Sequence, residues 1–495
     1  MIFSFKERVK KMAINLDLKD AITREERLGS TVCWDGDLSE ISAHGPCGKS
    51  QGKERRFSQS GICPNGCAAG NLINIRDAAV IMHGPSGCSH VGSATIGHQA
   101  AARISKSYEA IAYGDDMNED DTIFGAIDSL RELAENVIAT RKPKALFIVN
   151  SCASAVIGED IDSLVSELQE KYDIPIDNIN CEGFKSQVWF SGVDAVFHSL
   201  VKTLVKEPKE KRDVVNFINF FESERPYLTE IFAKLGVKIQ FLMTNINVEE
   251  IAHISESRAT VTVCNTLGTY LGNALEQKYG VPFLQTINPM GMKGFDTWLS
   301  SIAKVLGKEV QAKEIIDQEK EKYLPQIEEI KKKTTGLKAV LAMGAGYSWE
   351  MARVLQELGI EILSLSSGHM DPKQDGNKIP PAIEFICNHS PNNFATNVSD
   401  NQNFEIFNII NRLKPDIFFS RHPGFTVWAT KQNIPAVYVG DEYLAMGYKG
   451  ILTLANMIVD SITNRSFEAN LAAHAKLPYT SWWLKQEHTA MYKEA

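Results

Sequence analysis

Short apolar segments alternate with amphipathic helical patterns along most of this 495-residue chain. Each apolar segment has the length of a strand that is buried on both faces, and each interval between two of them can hold a helix. This alternation is typical of βαβ units, which build parallel sheets covered by helices. We therefore predict an α/β fold. The predicted strands are 78–82, 145–149, 214–218, 238–242, 260–263, 339–343, 360–365, 417–419 and 436–439.

The pattern divides into three blocks, each the size of one small doubly wound lobe. We predict three Rossmann-like lobes around a central cleft, at 61–210, 211–335 and 336–465. An N-terminal extension (1–60) precedes them. A C-terminal tail (466–495) follows, and its two adjacent tryptophans suit packing either on another lobe or subunit or on the tail's own lobe. The predicted helices are 123–140, 160–172, 227–235, 267–279, 309–331 (kinked at Pro325) and 348–358.

The composition disfavours several classes of partner. The formal net charge is −9, which argues against a nucleic acid held by phosphate neutralisation. No run approaches the ~18 apolar residues of a membrane-spanning helix, and the basic amphipathic start lacks a signal-peptide cleavage site. We therefore expect a cytoplasmic protein with no membrane partner. In that compartment, nine cysteines are better interpreted as metal ligands or buried thiols than as a disulfide framework.

Two glycine-containing motifs resemble nucleotide sites but lack a required residue. The Gly-Lys-Ser of residues 48–50 needs a glycine five positions earlier to form a phosphate-binding loop, and Ala43 stands there. Gly344 and Gly346 lie between a predicted strand and a predicted helix, as in dinucleotide folds. Trp349, however, occupies the third glycine position. A tight strand-to-helix turn facing an interlobe cleft explains the second motif better.

Three cysteines lie in loops where strand-to-helix turns are expected. Cys63 is in GICPNGCAAG, Cys88 is in HGPSGCSH, and Cys152 is in NSCASAVIGEDI. Such loops converge on one crevice at the carboxyl edge of a parallel sheet. Thiolates are the natural ligands of iron–sulfur clusters, and the glycines beside Cys88 allow close approach of the backbone. The residues alone leave two interpretations open: a metal–thiolate site, or three separate buried thiols.

The sequence of these segments resembles the nitrogenase component 1 family. GICPNGCAAG, HGPSGCSH, NSCASAVIGEDI, CEGFKSQ (181–187) and LEQKYGVPF (275–283) occur in the family's order, and the resemblance extends from about residue 60 to residue 450. HGPSGC together with SCxxxxIGEDI is a specific signature, and CEGF favours an α-type over a β-type subunit. The resemblance implies three α/β lobes, a homologous β-type partner in an α2β2 assembly, and electron delivery by an ATP-dependent iron protein.

By motif position, the resemblance implies that Cys63, Cys88 and Cys152 hold an iron–sulfur cluster at the subunit interface. A 4Fe-4S cubane would leave its fourth corner to the partner, whereas three cysteines from the partner would allow a bridged 8Fe-7S cluster. Cys67, one helical turn beyond Cys63, is an alternative ligand. Cys33 and Cys47 are either an additional metal pair or, as we expect, free surface thiols. Two further cysteines, Cys181 and Cys387, are interpreted as structural.

The sequence departs from nitrogenase where the family holds its active-site cofactor by one cysteine and one histidine. Aligning LEQKYGVP places that cysteine at Gly272, and aligning NIPAVYVGDEYLAMGYKG places the histidine at Gly440. A glycine has no side chain to bind a metal, so this alignment disfavours dinitrogen reduction. The segment where the family anchors the cofactor's organic acid with a lysine reads RHPGFTVWATKQ (421–432).

Other residues near the interlobe space are candidates for holding a second, variant iron–sulfur cofactor or for lining a substrate cavity. Cys264 follows the strand TVTV, and His369 and His422 follow apolar strands of the third lobe. Gln187, at the end of CEGFKSQ, is a further candidate. A lone histidine in such a loop is more often part of a hydrogen-bonded structure than a ligand.

Four functions are consistent with this sequence. The leading one is the α-type subunit of a nitrogenase-like reductase that does not reduce dinitrogen. An iron protein would dock over Gly158, Glu159 and Asp160 and supply electrons for a small organic substrate, as in C–S bond cleavage or tetrapyrrole reduction. The second is a scaffold on which a nitrogenase-type cofactor is assembled. The others are a genuine nitrogenase α chain with unusual cofactor ligation and a non-metal α/β binding protein that kept the fold.

Overall fold

Three sheets, parallel except for one edge strand, form the framework of the chain. The computed structural model describes residues 14–44, 63–92, 111–219, 224–376, 378–399, 403–440 and 445–486. The strands in these ranges are β1 (Cys33–Asp37), β2 (Ala78–His83), β3 (Ile111–Gly114), β4 (Ala145–Asn150), β5 (Ile176–Ile179), β6 (Val214–Ile218), β7 (Lys238–Leu242), β8 (Ala259–Thr262), β9 (Lys338–Met343), β10 (Glu361–Ser367), β11 (Ala395–Ser399), β12 (Ile417–Ser420) and β13 (Ala436–Tyr438).

Helices connect most of these strands. They are α1 (Arg24–Leu28), α2 (Leu38–His44), α3 (Pro64–Leu72), α4 (Ser86–Gly92), α5 (Asp121–Phe124), α6 (Ile127–Arg141), α7 (Cys152–Ile157), α8 (Ile161–Lys171), α9 (Ser191–Thr203), α10 (Arg225–Leu235), α11 (Val248–Ala252), α12 (Asn265–Tyr279), α13 (Gly291–Leu306), α14 (Glu309–Thr334), α15 (Ala345–Glu357), α16 (Pro381–His389), α17 (Asn403–Leu413), α18 (Pro423–Thr430), α19 (Gly447–Thr463), α20 (Ser466–His474) and α21 (Ser481–Lys485). The predicted α/β class is confirmed.

The first sheet has helices on both faces because its central strands are apolar throughout. Its order is β3-β2-β4-β5, all parallel. Alternate residues of β2 and β4, such as Val80 and Phe147, pack against α3 and α9. Their neighbours Ile81 and Ile148 pack with α6 and α8 on the opposite face. Fully apolar strands are expected where both faces of a sheet are covered.

The second and third sheets carry the rest of the chain. The second has the order β7-β6-β8 and is parallel. The third has the order β1-β11-β10-β9-β12-β13, with only β1 antiparallel to its neighbour. The N-terminal segment therefore supplies an edge strand of the third sheet. Cys33 on this strand is 1% exposed, so the expectation of a surface thiol is wrong for Cys33. Cys47 lies outside the described residues.

A buried ion network joins the N-terminal segment to the first and third lobes. Arg24 on α1 forms ion pairs with Asp194 of α9 (2.7 Å) and Asp371 after β10 (3.3 Å). Arg27 pairs with Asp194 (2.7 Å) and Asp375 (2.5 Å). All of these side chains are nearly or fully buried. The network lies where α1, α9 and the loop after β10 meet.

One predicted helix differs from the structure. The helix expected at 123–140 is divided into α5 and α6, because Gly125 between them has φ +89°, a backbone conformation that breaks a helix. The helix predicted at 309–331 is found as α14, which contains Pro325 and ends at Thr334, and its kink stays a prediction.

The C-terminal tail packs on its own lobe. Trp483 contacts Phe404 of α17, with ring centroids 4.9 Å apart, and Arg412 donates hydrogen bonds to the tail carbonyls of Lys485 and Gln486. Trp482 remains 60% exposed. No helix in the described ranges is both long and apolar enough to cross a membrane.

A candidate thiol-lined metal site

Cys88 and Cys152 lie in strand-to-helix connections at the carboxyl edge of the first sheet, and Cys63 lies near Cys152, directly before α3. Cys63 is the N-cap residue of α3. Cys88 lies in the first turn of α4, just beyond β2, and Cys152 is the first residue of α7, just beyond β4. Before Cys152, the Ser151 side chain caps α7 by accepting a hydrogen bond from the Ser154 backbone N–H. All three loops therefore end at one crevice, as the motif positions predict.

Gly183 of the CEGF segment lies between two of the thiols. A Cβ atom at this position would be 3.3 Å from Cys152 Sγ and 3.3 Å from Cys63 Cβ, so only a glycine leaves these thiols their present space. Cys88 shares the crevice. Burial raises the pKa of its thiol, and the neighbouring Cys63 and Cys152 thiols raise it further. The Cys88 sulfur therefore lies near those of Cys63 and Cys152.

The crevice opens toward the surface. Cys63 and Cys152 are exposed and Cys88 is half-buried. Among the described residues, no three His, Cys, Asp or Glu side chains converge closely enough to share a single metal ion. Thiolates at different corners of an iron–sulfur cluster are held apart by the cluster itself, and thiolates are its usual ligands. The donor set therefore fits a cluster that extends toward a partner surface.

Close backbone contacts hold the thiol loops together. A Cβ atom at Gly84 would collide with the side chain of Ser151, so the loop leading to Cys88 lies directly on the loop leading to Cys152. The Asn65 side chain, in the first turn of α3, donates a hydrogen bond to the backbone carbonyl of Asn150. The relative position of the three thiols is therefore fixed by hydrogen bonds and by a glycine contact.

A buried imidazole lies beneath the same loops. His83 Nδ1 is 2.5 Å from Asp115 Oδ2, and His83 Nε2 is 2.5 Å from Glu159 Oε2. Burial alone would lower the pKa of His83, but the two carboxylates outweigh it and hold the pKa above the ordinary imidazole value. His83 is therefore buried between two carboxylates that favour its protonated form.

An exposed apolar surface adjoins Cys152. Ile123 and Phe124 on α5 are 73% and 84% exposed, and Val156 on α7 is 76% exposed. The predicted docking residues follow α7 directly. Gly158 ends α7 in the left-handed conformation, and Asp160 is exposed at the N-terminus of α8. Glu159 differs from them because its carboxylate is buried against His83. We call the exposed surface of α5 and α7 the α5–α7 face.

The other two cysteines of this region point into the core. Cys67 is 0% exposed and Cys181 is 4% exposed. Burial raises the pKa of both thiols far above the ordinary value, which disfavours the thiolate form that binds metal. The structure therefore favours Cys63 over Cys67 at the crevice.

A second candidate site is a cavity between the second and third lobes. It encloses about 460 Å³, counting the solvent at its mouth, and is lined by the first turns of α12 and α15 and by the loop after β10. Cys264, the N-cap residue of α12, lies just behind this wall. A Cβ atom at Gly346 would be 2.7 Å from its sulfur. Cys264 is 1% exposed, and burial raises the pKa of its thiol.

The structure separates the other predicted cavity residues. His369 lines this cavity, with Nε2 3.3 Å from Asp371 Oδ1. His422 is the N-cap residue of α18 and does not line it. Its ring is accessible to solvent, yet burial lowers its pKa to about 4. Such a combination is expected of a side chain that lines an internal cleft. Gln187 is exposed, does not line the cavity, and donates its backbone N–H to Glu25.

The alignment that placed a cofactor cysteine at Gly272 is not supported by the geometry. Gly272 lies in the middle of α12, where any side chain would collide with the ring of Phe283. No ligand at this position would reach the interlobe cavity. The residues of α12 that line the cavity are Asn265, Thr266 and Thr269. A glycine at position 272 therefore carries no information about whether a cofactor binds. Gly440 adjoins residues outside the described ranges, and its role stays a prediction.

The sheet architecture and the surface crevice define an α/β protein with three cysteines grouped at one edge of its first sheet. The family model described as nitrogenase component 1 type oxidoreductase matches residues 63–463, and the chain belongs to this family. A solved structure titled "Nitrogenase Cp1 at pH 6.5" has the same fold, with a TM-score of 0.69 and 17% identity over 86% of this chain and 92% of that chain.

The relatives include two kinds of protein. The nitrogenase molybdenum-iron protein alpha chain of Methanothermobacter marburgensis is 25% identical over 79% of this chain and 84% of its own length. The nitrogenase iron-molybdenum cofactor biosynthesis protein NifE of Methanococcus maripaludis is 26% identical over 80% of this chain and 82% of its own. The NifE protein of Rippkaea orientalis is 22% identical over 92% of this chain and 98% of its own. Both kinds match this chain to a similar degree.

Sequence reasoning missed several residues of the site. His83 is the first residue of the HGPSGC motif, but nothing in its local sequence indicates that two carboxylates from distant loops contact it. Asp115 follows β3, whose four residues are too few for a clear apolar pattern. The exposed pair Ile123 and Phe124 was assigned to a longer helix, which hid their exposure. Of these, only His83 carried a signal, since it stands inside a specific motif.

Proposed function

We propose that this chain is the α-type subunit of a nitrogenase-like redox complex, with an iron–sulfur cluster held by Cys63, Cys88 and Cys152 at the interface with a β-type partner. The observation that carries this proposal is that Cys63 and Cys152 lie together beside Gly183, with Cys88 close to both, on an open surface crevice. A cluster held there would store and transfer single electrons. Because the crevice opens outward, a partner surface completes the ligand set and excludes water.

The chain's own residues account for the rest of the site. Asn65, Gly84 and Ser151 hold the thiol loops in register, and Gly183 leaves space for the sulfurs. The α5–α7 face, with Asp160 at its edge, is proposed as the docking surface for an ATP-hydrolysing iron protein. Exposed apolar surface bordered by charge is typical of protein-binding sites.

The interlobe cavity is proposed as the substrate or cofactor site of the complex. Cys264 has its sulfur behind the cavity wall at Gly346, but like Cys67 it is buried with a raised pKa. It is therefore the first residue to test for a second iron–sulfur cofactor rather than an assigned ligand. His369 is held close to Asp371 and is therefore better suited to orienting a bound molecule than to binding metal. The proposed substrate is a small organic molecule rather than dinitrogen, since the histidine position of the family aligns with Gly440.

Anaerobic purification with the partner subunit tests this proposal. Iron analysis and EPR of the reduced and oxidised complex should detect one cluster per αβ pair that is lost in Cys88→Ala. A second signal that survives in Cys88→Ala and disappears in Cys264→Ala would indicate a cofactor in the cavity. A colourless, iron-free complex would contradict the proposal, and sustained ammonia formation from dinitrogen would contradict its substrate assignment.

The second candidate function is a scaffold for cofactor assembly. Similarity to NifE proteins favours it, because one of them matches 92% of this chain and 98% of its own length. A scaffold must release its cargo, whereas a reductase must retain it. Mixing the loaded complex with a cofactor-free nitrogenase component separates the two functions. Transfer of cofactor iron with recovery of nitrogenase activity indicates a scaffold, whereas retention of iron with turnover of an organic substrate indicates a reductase.

A further inference from the structure

A chain of three buried ionisable side chains connects the α5–α7 face with the thiol loops. It starts at Ala126, the N-cap residue of α6, which follows the end of α5 at Gly125. The Ala126 backbone N–H donates to Glu159 Oε1, and Glu159 Oε2 lies 2.5 Å from His83 Nε2. A displacement of α5 is therefore transmitted to the His83 ring through a single carboxylate.

From His83 the contacts divide toward two of the thiols. His83 Nδ1 meets Asp115, whose other oxygen accepts the Gly84 backbone N–H at 2.9 Å. Gly84 begins the loop that leads to Cys88. The His83 backbone carbonyl accepts the Ser151 backbone N–H at 3.0 Å, and Ser151 directly precedes Cys152. The His83 side chain thus reaches the Cys88 loop through Asp115, and the His83 backbone holds the Cys152 loop.

Stability alone does not explain this arrangement. The side chains of His83, Asp115 and Glu159 are 0%, 2% and 7% exposed. Burying charges in this way costs desolvation energy that their mutual attraction only about balances, so an apolar replacement would stabilise the fold as well. A fully paired buried network does, however, hold its members in one geometry. The potential of an iron–sulfur cluster depends on nearby charge, hydrogen bonds and solvent exposure.

We propose that the Glu159–His83–Asp115 chain positions the Cys88 and Cys152 loops and couples occupancy of the α5–α7 face to the reduction potential of the cluster. This inference rests on the proposed function, because it needs a cluster on the thiols and an iron protein on the face. Glu159 is a positioning residue. It lies between the α5–α7 face and the His83 imidazole, and its contacts among the described residues do not include the Cys88 or Cys152 thiol.

The test is an EPR-monitored redox titration of the full αβ complex, with and without the iron protein bound through a non-hydrolysable ATP analogue. In the wild type, docking should shift the cluster potential. Glu159→Gln keeps the shape of the side chain and its acceptor for Ala126 but removes the charge facing His83. With the iron protein at a concentration that saturates each variant, it should lose at least half of the shift. Glu119→Gln, an exposed acid near the same face, is the matched control and should keep the wild-type shift.

Each outcome tests either the proposed coupling or the proposed function on which it rests. The coupling would be overturned if Glu159→Gln showed the same shift in cluster potential as the wild type. It would also be overturned if the wild type held its cluster and bound the iron protein without any shift in that potential. Loss of iron from Glu159→Gln but not from Glu119→Gln would support the positioning of the thiol loops. A wild-type complex without iron would contradict the proposed function itself, and iron analysis detects that before any titration begins.

Discussion

The cysteines around the crevice fall into two groups according to their surroundings. Cys63 and Cys152 are exposed at the starts of helices, whereas Cys67 and Cys181 are enclosed by apolar side chains. Thiolates bind metal and thiols do not, so enclosure without a compensating charge removes a cysteine from the ligand set. At this scale, the choice between Cys63 and Cys67 depends on which side of one helical turn faces the crevice.

The first prediction compares Cys88 with a cysteine of similar burial elsewhere. Cys88→Ala should lose most of the complex's iron, because two remaining thiolates from this chain no longer hold the cluster. Cys387→Ala is the matched control, since Cys387 is also half-buried and burial also raises its pKa. It should retain iron. Equal iron content in the two variants, measured on anaerobically purified complexes, would remove Cys88 from the ligand set.

A second prediction concerns the space beside the thiols. Gly183→Ala introduces a methyl group 3.3 Å from Cys152 Sγ, closer than side chains normally approach a sulfur. The EPR spectrum of the cluster should change, and iron content should fall, while the protein stays folded. Gly87→Ala is the control, because a Cβ atom there meets nothing within 4 Å. An unchanged spectrum in Gly183→Ala would mean that the cluster does not occupy this side of the crevice.

At the scale of secondary-structure elements, the short helices α5 and α7 present apolar side chains that no core requires. Phe124→Ala should leave folding unchanged because the ring is 84% exposed. It should weaken iron-protein binding by about tenfold, or ~1.4 kcal/mol. Phe467→Ala on α20 removes a ring that is 69% exposed on another lobe. It should bind like the wild type in a titration of complex formation, and equal weakening in both variants would exclude a specific role for α5.

Which elements the sequence predicts depends on how much apolar patterning each one carries. The strands β2, β4 and β6 are mostly apolar, and all three were predicted. The strands β1 and β11 are mostly polar, so no apolar run marks them. The helix α3 was missed for the opposite reason: its small residues PNGCAAGNL are buried all round, and no amphipathic period results.

The candidate site shows the same limit. Motif identity brought Cys63, Cys88 and Cys152 together correctly, because each motif contains the turn that places its cysteine. Contacts between distant segments, such as His83 with Glu159, leave no such local trace. The placement of a cofactor position at Gly272 failed because an alignment by one short motif does not record which face of α12 borders the cavity. The sequence also does not predict the identity of the proposed substrate, because the residues that determine it are spread over three lobes.

At the scale of the whole molecule, the lobes meet at the network of Arg24 and Arg27. Arg24 is fully buried and reaches Asp194 of the first lobe and Asp371 of the third. Ser30 also donates a hydrogen bond to Asp371. A buried pair contributes little net stability, but removing one partner leaves an uncompensated charge. The interlobe cavity, which Asp371 lines, therefore depends on an N-terminal arginine distant in sequence.

The last prediction tests this dependence. Arg24→Met should lower the free energy of unfolding by about 3–5 kcal/mol, measured by urea titration at pH 7. Lys234→Met, which breaks the exposed pair with Glu230, should cost at most about 0.5 kcal/mol. The loss of unfolding free energy in Arg24→Met should also depend on pH. Burial alone would raise the pKa of Asp371, but His369 and Arg24 outweigh it and hold the pKa below its usual range.

Because the folded-state pKa is the lower one, Asp371 stabilises the fold above its unfolded pKa of about 3.9. That stabilisation is lost as the pH falls through the folded value. The difference in unfolding free energy between the wild type and Arg24→Met should therefore be largest at neutral pH and become smaller in acid. A gap that is equally large at every pH would show that Arg24 acts through packing rather than through charge.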